Sequence, residues 1–204
     1  MATIGFTRDD FEVFGIPTFQ ERMEAIKAHV RPRLIEIGKQ LHPALNDLDQ
    51  GEVFQHVAKY ARRTVNPPPE TWVAFGPSAR GYKKFGYFGL VISGGGLHTR
   101  IVVKDEAENR PRMAKMLVDR AKALAEVFGK RELARYDRWD FAGMPEMVKP
   151  TAAFWKGVAE ALAKKTGGLD VGFGWPAARA VKLTDKHVRE AFETLAPVYE
   201  LTRL

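Results

Sequence analysis

The chain has 204 residues, of which 45% are hydrophobic and 28% are charged, a composition typical of a globular protein. It contains no cysteine, which excludes disulfides, thiolate metal sites and cysteine nucleophiles. The formal net charge is +7, so nucleic acid or an anionic metabolite is an admissible partner.

Length and hydropathy set the expected organisation. A chain of this length predicts one domain, residues 1–204. The first residues lack the basic and then apolar pattern of a signal peptide. No apolar run approaches the roughly 20 residues that a membrane-spanning helix needs. We therefore expect a cytoplasmic protein without a membrane partner, and the sequence carries no signal for an oligomeric state.

The first fifty residues predict helices. Thr7 and Thr18 each precede an acidic residue by three positions, the spacing of a capping box, and predict the starts of two helices. The second helix carries apolar side chains at helical spacing as far as Leu41. Pro32 lies inside it and predicts a kink or a restart. Residues 41–49 have the pattern of a turn.

The segment from residue 54 to residue 84 carries most of the net positive charge. It holds six cations against a single anion, Glu70, a net +5 of the formal +7. The six cations are Lys59, Arg62, Arg63, Arg80, Lys83 and Lys84.

Residues 53–64 predict a helix, because their apolar side chains recur at helical spacing. This helix places His56, Lys59 and Arg63 together on the face opposite the core. Three prolines follow Asn66, end the helix and form a stiff, extended connector. The connector leads to a short predicted strand, TWVAF, and then to the basic loop RGYKK.

Two interpretations of this charged segment remain open. In the first, the helix face and the loop are separate solvated surfaces. In the second, the connector folds the loop back beside the helix, and the two form one anion site. Arginine can clamp a phosphate with two hydrogen bonds, and aromatic rings can stack a base or sugar. The candidate ligand-binding residues are Lys59, Arg62, Arg63, Asn66, Trp72, Arg80, Tyr82, Lys83 and Lys84.

The same segment carries a family resemblance. The stretches HVAKYARRTVNPPPETWVAF (residues 56–75) and RGYKKFGYF (residues 80–88) resemble the signature of the YktB-like family of uncharacterised bacterial proteins. RMEAI at residues 22–26 and YELT at residues 199–202 are similar to the ends of that family. The resemblance implies an antiparallel sheet covered by helices, similar to the TATA-binding-protein-like fold. It implies no activity and no catalytic residue.

The rest of the chain alternates strands with helices. A hairpin is predicted at residues 85–104, where two strand-like runs flank three glycines. Gly172 and Gly174 in the last predicted strand indicate a bulge or a close backbone approach. The pattern therefore predicts a single α+β domain with a mainly antiparallel sheet of about five strands covered by helices. Two further strands are predicted at residues 133–141 and 169–175, and three helices at residues 109–128, at residues 150–165 and after Thr184.

Familiar catalytic motifs are absent from the sequence. The five histidines lack metal-ligand spacing, and the chain contains neither a nucleophile elbow nor a dinucleotide fingerprint. The triple glycine lacks the lysine that ends a phosphate-binding loop. We therefore predict no metal site and no cofactor.

Three functional hypotheses follow from these patterns. The first is a binding module for a phosphate-bearing ligand, either nucleic acid or a nucleotide. The second is an enzyme acting on a small anionic substrate, with His56 as acid or base and Arg63 or Arg80 orienting the substrate. The third is a small-molecule binder with an apolar cavity between the sheet and the long helix.

Overall fold

The computed structural model describes residues 3–49, 51–60, 64–139 and 145–203, with the backbone alone at residues 137–139. Its strands are β1 (Phe54–Val57), β2 (Glu70–Gly76), β3 (Tyr87–Ser93), β4 (Gly96–Val103), β5 (Leu133–Trp139), β6 (Pro145–Val148) and β7 (Leu169–Pro176). They form one sheet in the order β1-β2-β3-β4-β7-β5-β6, and every neighbouring pair is antiparallel. The predicted α+β fold is confirmed, with seven strands in the described residues where the sequence predicts about five.

Seven α-helices lie in the described ranges, three of them before the sheet. The capping predictions are confirmed: Thr7 donates to Asp10, Thr18 accepts from the Glu21 N–H, and Thr184 is the N-cap of the last helix. The helices are α1 (Arg8–Glu12), α2 (Phe19–Ala25), α3 (Arg31–Asp49), α4 (Arg110–Phe128), α5 (Ala152–Leu162), α6 (Ala177–Ala180) and α7 (Asp185–Thr202).

The core lies between the helices and one face of the sheet. Alternate strand residues point into it, for example Val73 and Phe75 of β2, and belong to the same cluster as Leu41 of α3 and Phe192 of α7. These side chains belong to one continuous hydrophobic cluster, whose burial is the main stabilising contribution. The third hypothesis, a ligand cavity between the sheet and the long helix, stays a prediction.

The helix predicted over residues 53–64 is wrong. Residues 54–57 form β1, which pairs with β2 in a register running from Phe54 opposite Gly76 to Val57 opposite Val73. The apolar spacing of so short a segment fits a strand as well as a helix, and sheet pairing supplies the backbone hydrogen bonds. Tyr60 then has φ of 53°, a left-handed conformation that a right-handed helix cannot include.

Two other boundaries differ from the sequence-based expectation. Residues 41–49 continue α3 and do not form a turn, because Leu41 and Leu45 extend the buried stripe of that helix despite Pro43. The expected irregularity near Pro32 is present as a π-helical turn at Ile26–Val30, directly before α3. The strand at residues 145–148 is not predicted by the sequence pattern, and residues 140 and 141 of the strand predicted over 133–141 lie outside the described residues.

The hairpin and the glycine-rich strand agree with prediction. β3 and β4 pair from Tyr87 opposite Val102 to Ser93 opposite Gly96. Gly172 in β7 lies opposite Arg100, where a Cβ atom would come within 1.8 Å of the Thr99 carbonyl oxygen. This close backbone approach explains why a glycine is needed there.

Candidate functional site

A cleft of about 980 Å³ opens where β1 and the residues after it meet the turn that precedes β3. Its walls come from residues 55–60 on one side and residues 79–84 on the other, with Trp72 of β2 between them and Glu106 at the rim. The predicted candidates that line it are His56, Lys59, Trp72, Arg80, Tyr82, Lys83 and Lys84.

The cleft is cationic. Lys83 lies 3.4 Å from Glu106, and Lys84 lies 2.8 Å from Glu108. The hydrogen bond to Glu108 raises the pKa of Lys84 above its ordinary value. Lys59 and Arg80 are exposed, and within the described ranges their side chains have no hydrogen-bond or ion-pair partner. Two of the four lining cations are therefore already directed at acids, and two are available to an added anion.

Aromatic rings form the floor of the cleft. The Trp72 indole Nε1 donates a hydrogen bond of 3.1 Å to the Tyr82 hydroxyl. The Tyr82 ring stacks on His56, with centroids 4.4 Å apart and an interplanar angle of 19°. Tyr60 packs edge-on against Trp72 at 5.6 Å. Burial raises the pKa of Tyr82, so this hydroxyl is neutral at physiological pH.

His56 is held in a defined orientation. Its Nε2 lies 2.9 Å from the carbonyl oxygen of Ser78. A carbonyl oxygen only accepts, so Nε2 carries a proton, and a neutral ring has its basic lone pair on Nδ1. The Ser78 hydroxyl makes two hydrogen bonds to the backbone of Arg80: it accepts from the N–H and donates to the carbonyl oxygen.

The turn that carries Arg80 to Lys84 depends on one glycine. Gly81 has φ of 68°, in the left-handed region, and begins a short 3-10 turn at Tyr82–Lys84. The Lys84 N–H donates to the Gly81 carbonyl oxygen at 2.9 Å and closes the turn. This tight geometry places the Tyr82 ring over β1 and the lysines at the rim of the cleft.

Three predicted site residues are not placed in the cleft. Arg62 and Arg63 lie outside the described residues. Asn66 is exposed before the three prolines and is not among the residues that line the cleft. The sequence predicts that a helix brings His56, Lys59 and Arg63 together on one face. His56 instead lies on a strand, and Lys59 follows the end of that strand.

A smaller cavity of about 220 Å³ adjoins the cleft on the same face of the sheet. Tyr60 and Trp72 line both spaces. We call the smaller cavity the inner pocket. Its other lining residues are Pro69, Glu70, Tyr87, Gly89, Val91, Arg100, Val102, Lys104 and Asp170.

A buried guanidinium lies at the base of the inner pocket. Arg100 donates to Glu70 through both terminal nitrogens, at 3.3 and 2.8 Å, and lies 3.7 Å from Asp170. Its guanidinium carbon is 3.8 Å from the centroid of the Tyr136 ring. Burial acts to lower the pKa of Arg100, but the carboxylates of Asp170 and Glu70 outweigh it and raise that pKa.

The charge of Arg100 also acts on a buried histidine. His98 Nδ1 lies 2.9 Å from the Tyr136 hydroxyl, and its Nε2 lies 3.3 Å from the Ser93 hydroxyl. Burial, and then the positive charge of Arg100, lowers the pKa of His98 to about 3. His98 is therefore neutral at physiological pH and belongs to the structural polar network of this face.

Sequence reasoning missed the inner pocket, although one signal was present. In the strand LHTRIVVK, His98 and Arg100 alternate with Leu97 and Ile101. A charged residue in the middle of an apolar strand is rarely buried without a partner. That pattern indicates a polar site on the second face of the sheet. The partners Glu70 and Asp170 are too distant in sequence for periodicity to identify them.

Comparison with known proteins places the chain in a family. A family model described as a domain of unknown function, DUF1054, matches residues 6–199. The chain belongs to the DUF1054 family. It is 32% identical over 209 residues to a UPF0637 protein of Lysinibacillus sphaericus, covering 98% of this chain and 97% of that protein. The resemblance to the YktB-like family is thereby confirmed.

Other DUF1054 relatives match more closely over shorter segments. Identity is 49% over 88 residues with a UPF0637 protein of Bacillus velezensis, covering 43% of this chain and 42% of the relative. It is 37% over 115 residues with a UPF0637 protein of Oceanobacillus iheyensis, covering 56% of each chain. These two alignments span about half the length of each relative.

Two further observations concern the described residues only. No helix there is both long and apolar enough to cross a membrane. No group of three or more histidine, aspartate or glutamate side chains there is placed to hold a metal ion.

Proposed function

We propose that this protein binds a phosphate-bearing ligand, either a nucleotide or nucleic acid, in the basic cleft. The observation that carries the proposal is the position of Lys59 and Arg80, together with Lys83 and Lys84, around one space. The described lining has four cations against one acid, Glu106, a net charge of +3. An anion entering the cleft gains charge-assisted hydrogen bonds there.

The size and walls of the cleft support the same proposal. A volume of about 980 Å³ is in the upper part of the range for small-ligand sites. The stacked rings of Tyr82 and His56 offer an aromatic surface beside the cations. Phosphate-bearing metabolites and single-stranded nucleic acids are recognised by this combination of cations and aromatic rings.

Binding of inorganic pyrophosphate, ADP and a single-stranded oligonucleotide, measured by calorimetry at several salt concentrations, tests the proposal. The variant Arg80→Ala/Lys83→Ala is expected to weaken binding of whichever ligand binds by about tenfold or more, since each hydrogen bond to a charged group contributes about 1.5–3 kcal/mol. For an oligonucleotide, the steepness of log K against log salt decreases by roughly 0.7 for each phosphate that the variant no longer neutralises.

A matched control removes the same charge elsewhere. Lys115 and Lys186 are exposed lysines in i,i+4 pairs on α4 and α7. Lys115→Ala/Lys186→Ala is expected to retain the wild-type affinity. Equal weakening by both double variants would mean that only the net charge of the protein matters, and the proposal would fail.

One observation favours an enzyme as the second candidate. His56 lines the cleft, and its Nε2 is fixed by Ser78, which leaves Nδ1 of the neutral ring as the atom able to take a proton. In this alternative the substrate is a small anion oriented by Arg80. His56→Gln is then expected to abolish turnover while binding survives. Turnover that is unchanged in His56→Gln would remove His56 as the acid or base.

A further inference from the structure

We propose that the ligand is a nucleoside phosphate, held with its phosphate in the basic cleft and its base in the inner pocket. The inference rests on the proposed function and identifies the class of ligand. Tyr60 and Trp72 line both spaces, so the two cavities are neighbours that share aromatic walls. A ligand with one anionic end and one planar end can occupy both at once.

The two spaces differ sharply in chemistry. The cleft has a net charge of +3 from its described lining. In the inner pocket, Lys104 and Arg100 balance Glu70 and Asp170, so the lining is neutral overall. The remaining walls are aromatic or aliphatic, namely Trp72, Tyr87, Val91, Val102, Tyr60 and Pro69. The basic cleft therefore favours a phosphate, and the inner pocket favours an uncharged ring.

The carboxylates give the inner pocket its hydrogen-bonding character. Arg100 has only 2% of its side chain exposed, whereas Glu70 has 24% and Asp170 has 14%. The Glu70 side chain is therefore the more accessible acid of the pocket, whereas Asp170 Oδ1 is buried and Arg100 stays covered. Carboxylate oxygens only accept hydrogen bonds. They suit the amino and ring N–H donors of a base, and they disfavour a second phosphate.

Gly89 gives the pocket its space. It lies on β3 between Tyr87 and Val91, which line the same pocket. A Cβ atom at Gly89 would meet its nearest neighbours, on Val91, Val102 and Arg100, at 3.7–3.9 Å, which is ordinary van der Waals contact. A Cβ atom added at this position therefore takes up space beside the pocket without displacing the sheet. A volume of about 220 Å³ holds one planar ring system, which favours a mononucleotide over a polymer.

The experiment compares ADP with inorganic pyrophosphate by calorimetry, since the two carry the same number of phosphates. Wild-type protein is expected to bind ADP at least tenfold more tightly than pyrophosphate. Gly89→Val is expected to reduce the ADP affinity to that of pyrophosphate while leaving pyrophosphate binding within twofold of wild type. Gly89→Ala, a smaller intrusion, is expected to give an intermediate loss for ADP. If the valine variant does not fold, the alanine variant alone tests the base site.

The outcomes separate the inference from the proposal beneath it. Equal affinity for ADP and pyrophosphate, or unchanged ADP binding in both Gly89 variants, overturns the base site and leaves the phosphate site standing. Tighter binding of a single-stranded oligonucleotide than of ADP, with no loss in Gly89→Val, overturns it in favour of a polymer. If none of the three ligands binds, the proposed function itself is overturned.

Discussion

The Trp72 indole and the Tyr82 hydroxyl are joined by a hydrogen bond of 3.1 Å that ties strand β2 to the basic turn. Trp72 lies at the boundary between cleft and inner pocket, and Tyr82 stacks on His56. This hydrogen bond therefore contributes to holding Arg80 and Lys83 in place relative to the sheet, together with the Ser78–His56 contact and the Tyr82–His56 stack.

Tyr82→Phe tests that role. The variant keeps the stacked ring but removes the acceptor for the indole N–H, so we expect a loss of about 1 kcal/mol in the free energy of unfolding. Hydrogen exchange should also accelerate at the amides of Lys84 and Phe85, whose hydrogen bonds close the turn. Tyr199→Phe is the control, because it removes a tyrosine hydrogen bond, to Asp49, that involves no residue of this turn. If exchange at the turn is the same in both variants, the Trp72–Tyr82 hydrogen bond does not order it.

The buried guanidinium predicts a large effect on stability. Arg100→Met would leave the carboxylates of Glu70 and Asp170 without their shared cation. Breaking a buried ion pair from one side costs about 3–5 kcal/mol, measured by urea denaturation. Lys115→Met removes an exposed i,i+4 pair and should cost at most about 0.5 kcal/mol. A similar small cost for both variants would contradict the described ion-pair network.

His98 predicts a specific pH dependence. Its pKa is about 3 in the folded protein against 6.5 in the unfolded chain, so between these values the unfolded chain binds one more proton. Stability must therefore fall as the pH is lowered through this window. Between pH 6.5 and 5 the wild type should lose about 1.5 kcal/mol more than His98→Gln, which does not titrate. Parallel stability curves for the two proteins would contradict the burial of a neutral histidine.

Two glycines predict opposite effects of the same substitution. Gly172→Ala would place a Cβ atom 1.8 Å from the Thr99 carbonyl oxygen, so the β4–β7 pairing must shift, and we expect a loss of about 2 kcal/mol or more. Gly157 is exposed in α5, and a methyl group added there would have no neighbouring atom within 4 Å. Gly157→Ala should stabilise by about 0.5–1 kcal/mol, because alanine is the better helix former. Thermal unfolding of both variants measures the difference, and a stable Gly172→Ala would contradict the close approach.

Much of the fold is predictable because local patterns and tertiary packing agree. The hairpin of β3 and β4, the helix α4 and the glycine-rich β7 each carry a periodicity longer than a few residues. The error at β1 arises because its four residues fit the spacing of a helix as well as that of a strand. Pairing with β2 selects the strand. The residues of β1 alone do not reveal this pairing, because the partner strand begins after the three prolines.

One part of the candidate site is predictable from the sequence and the other is not. The cations of the cleft are close in sequence, so composition alone identifies them, although the helix predicted to carry His56 is wrong. The inner pocket joins Glu70, Arg100 and Asp170 from three strands. Such a cluster can be recognised only when the strand order is known, so composition and spacing could not reveal it.

The most direct measurement is a crystal structure of the protein soaked in pyrophosphate. The account predicts density for the anion inside the cleft, within hydrogen-bonding distance of Arg80 and Lys59 and near Lys83. Pyrophosphate bound at another surface, with the cleft left empty, would contradict the central claim that these cations form one anion site.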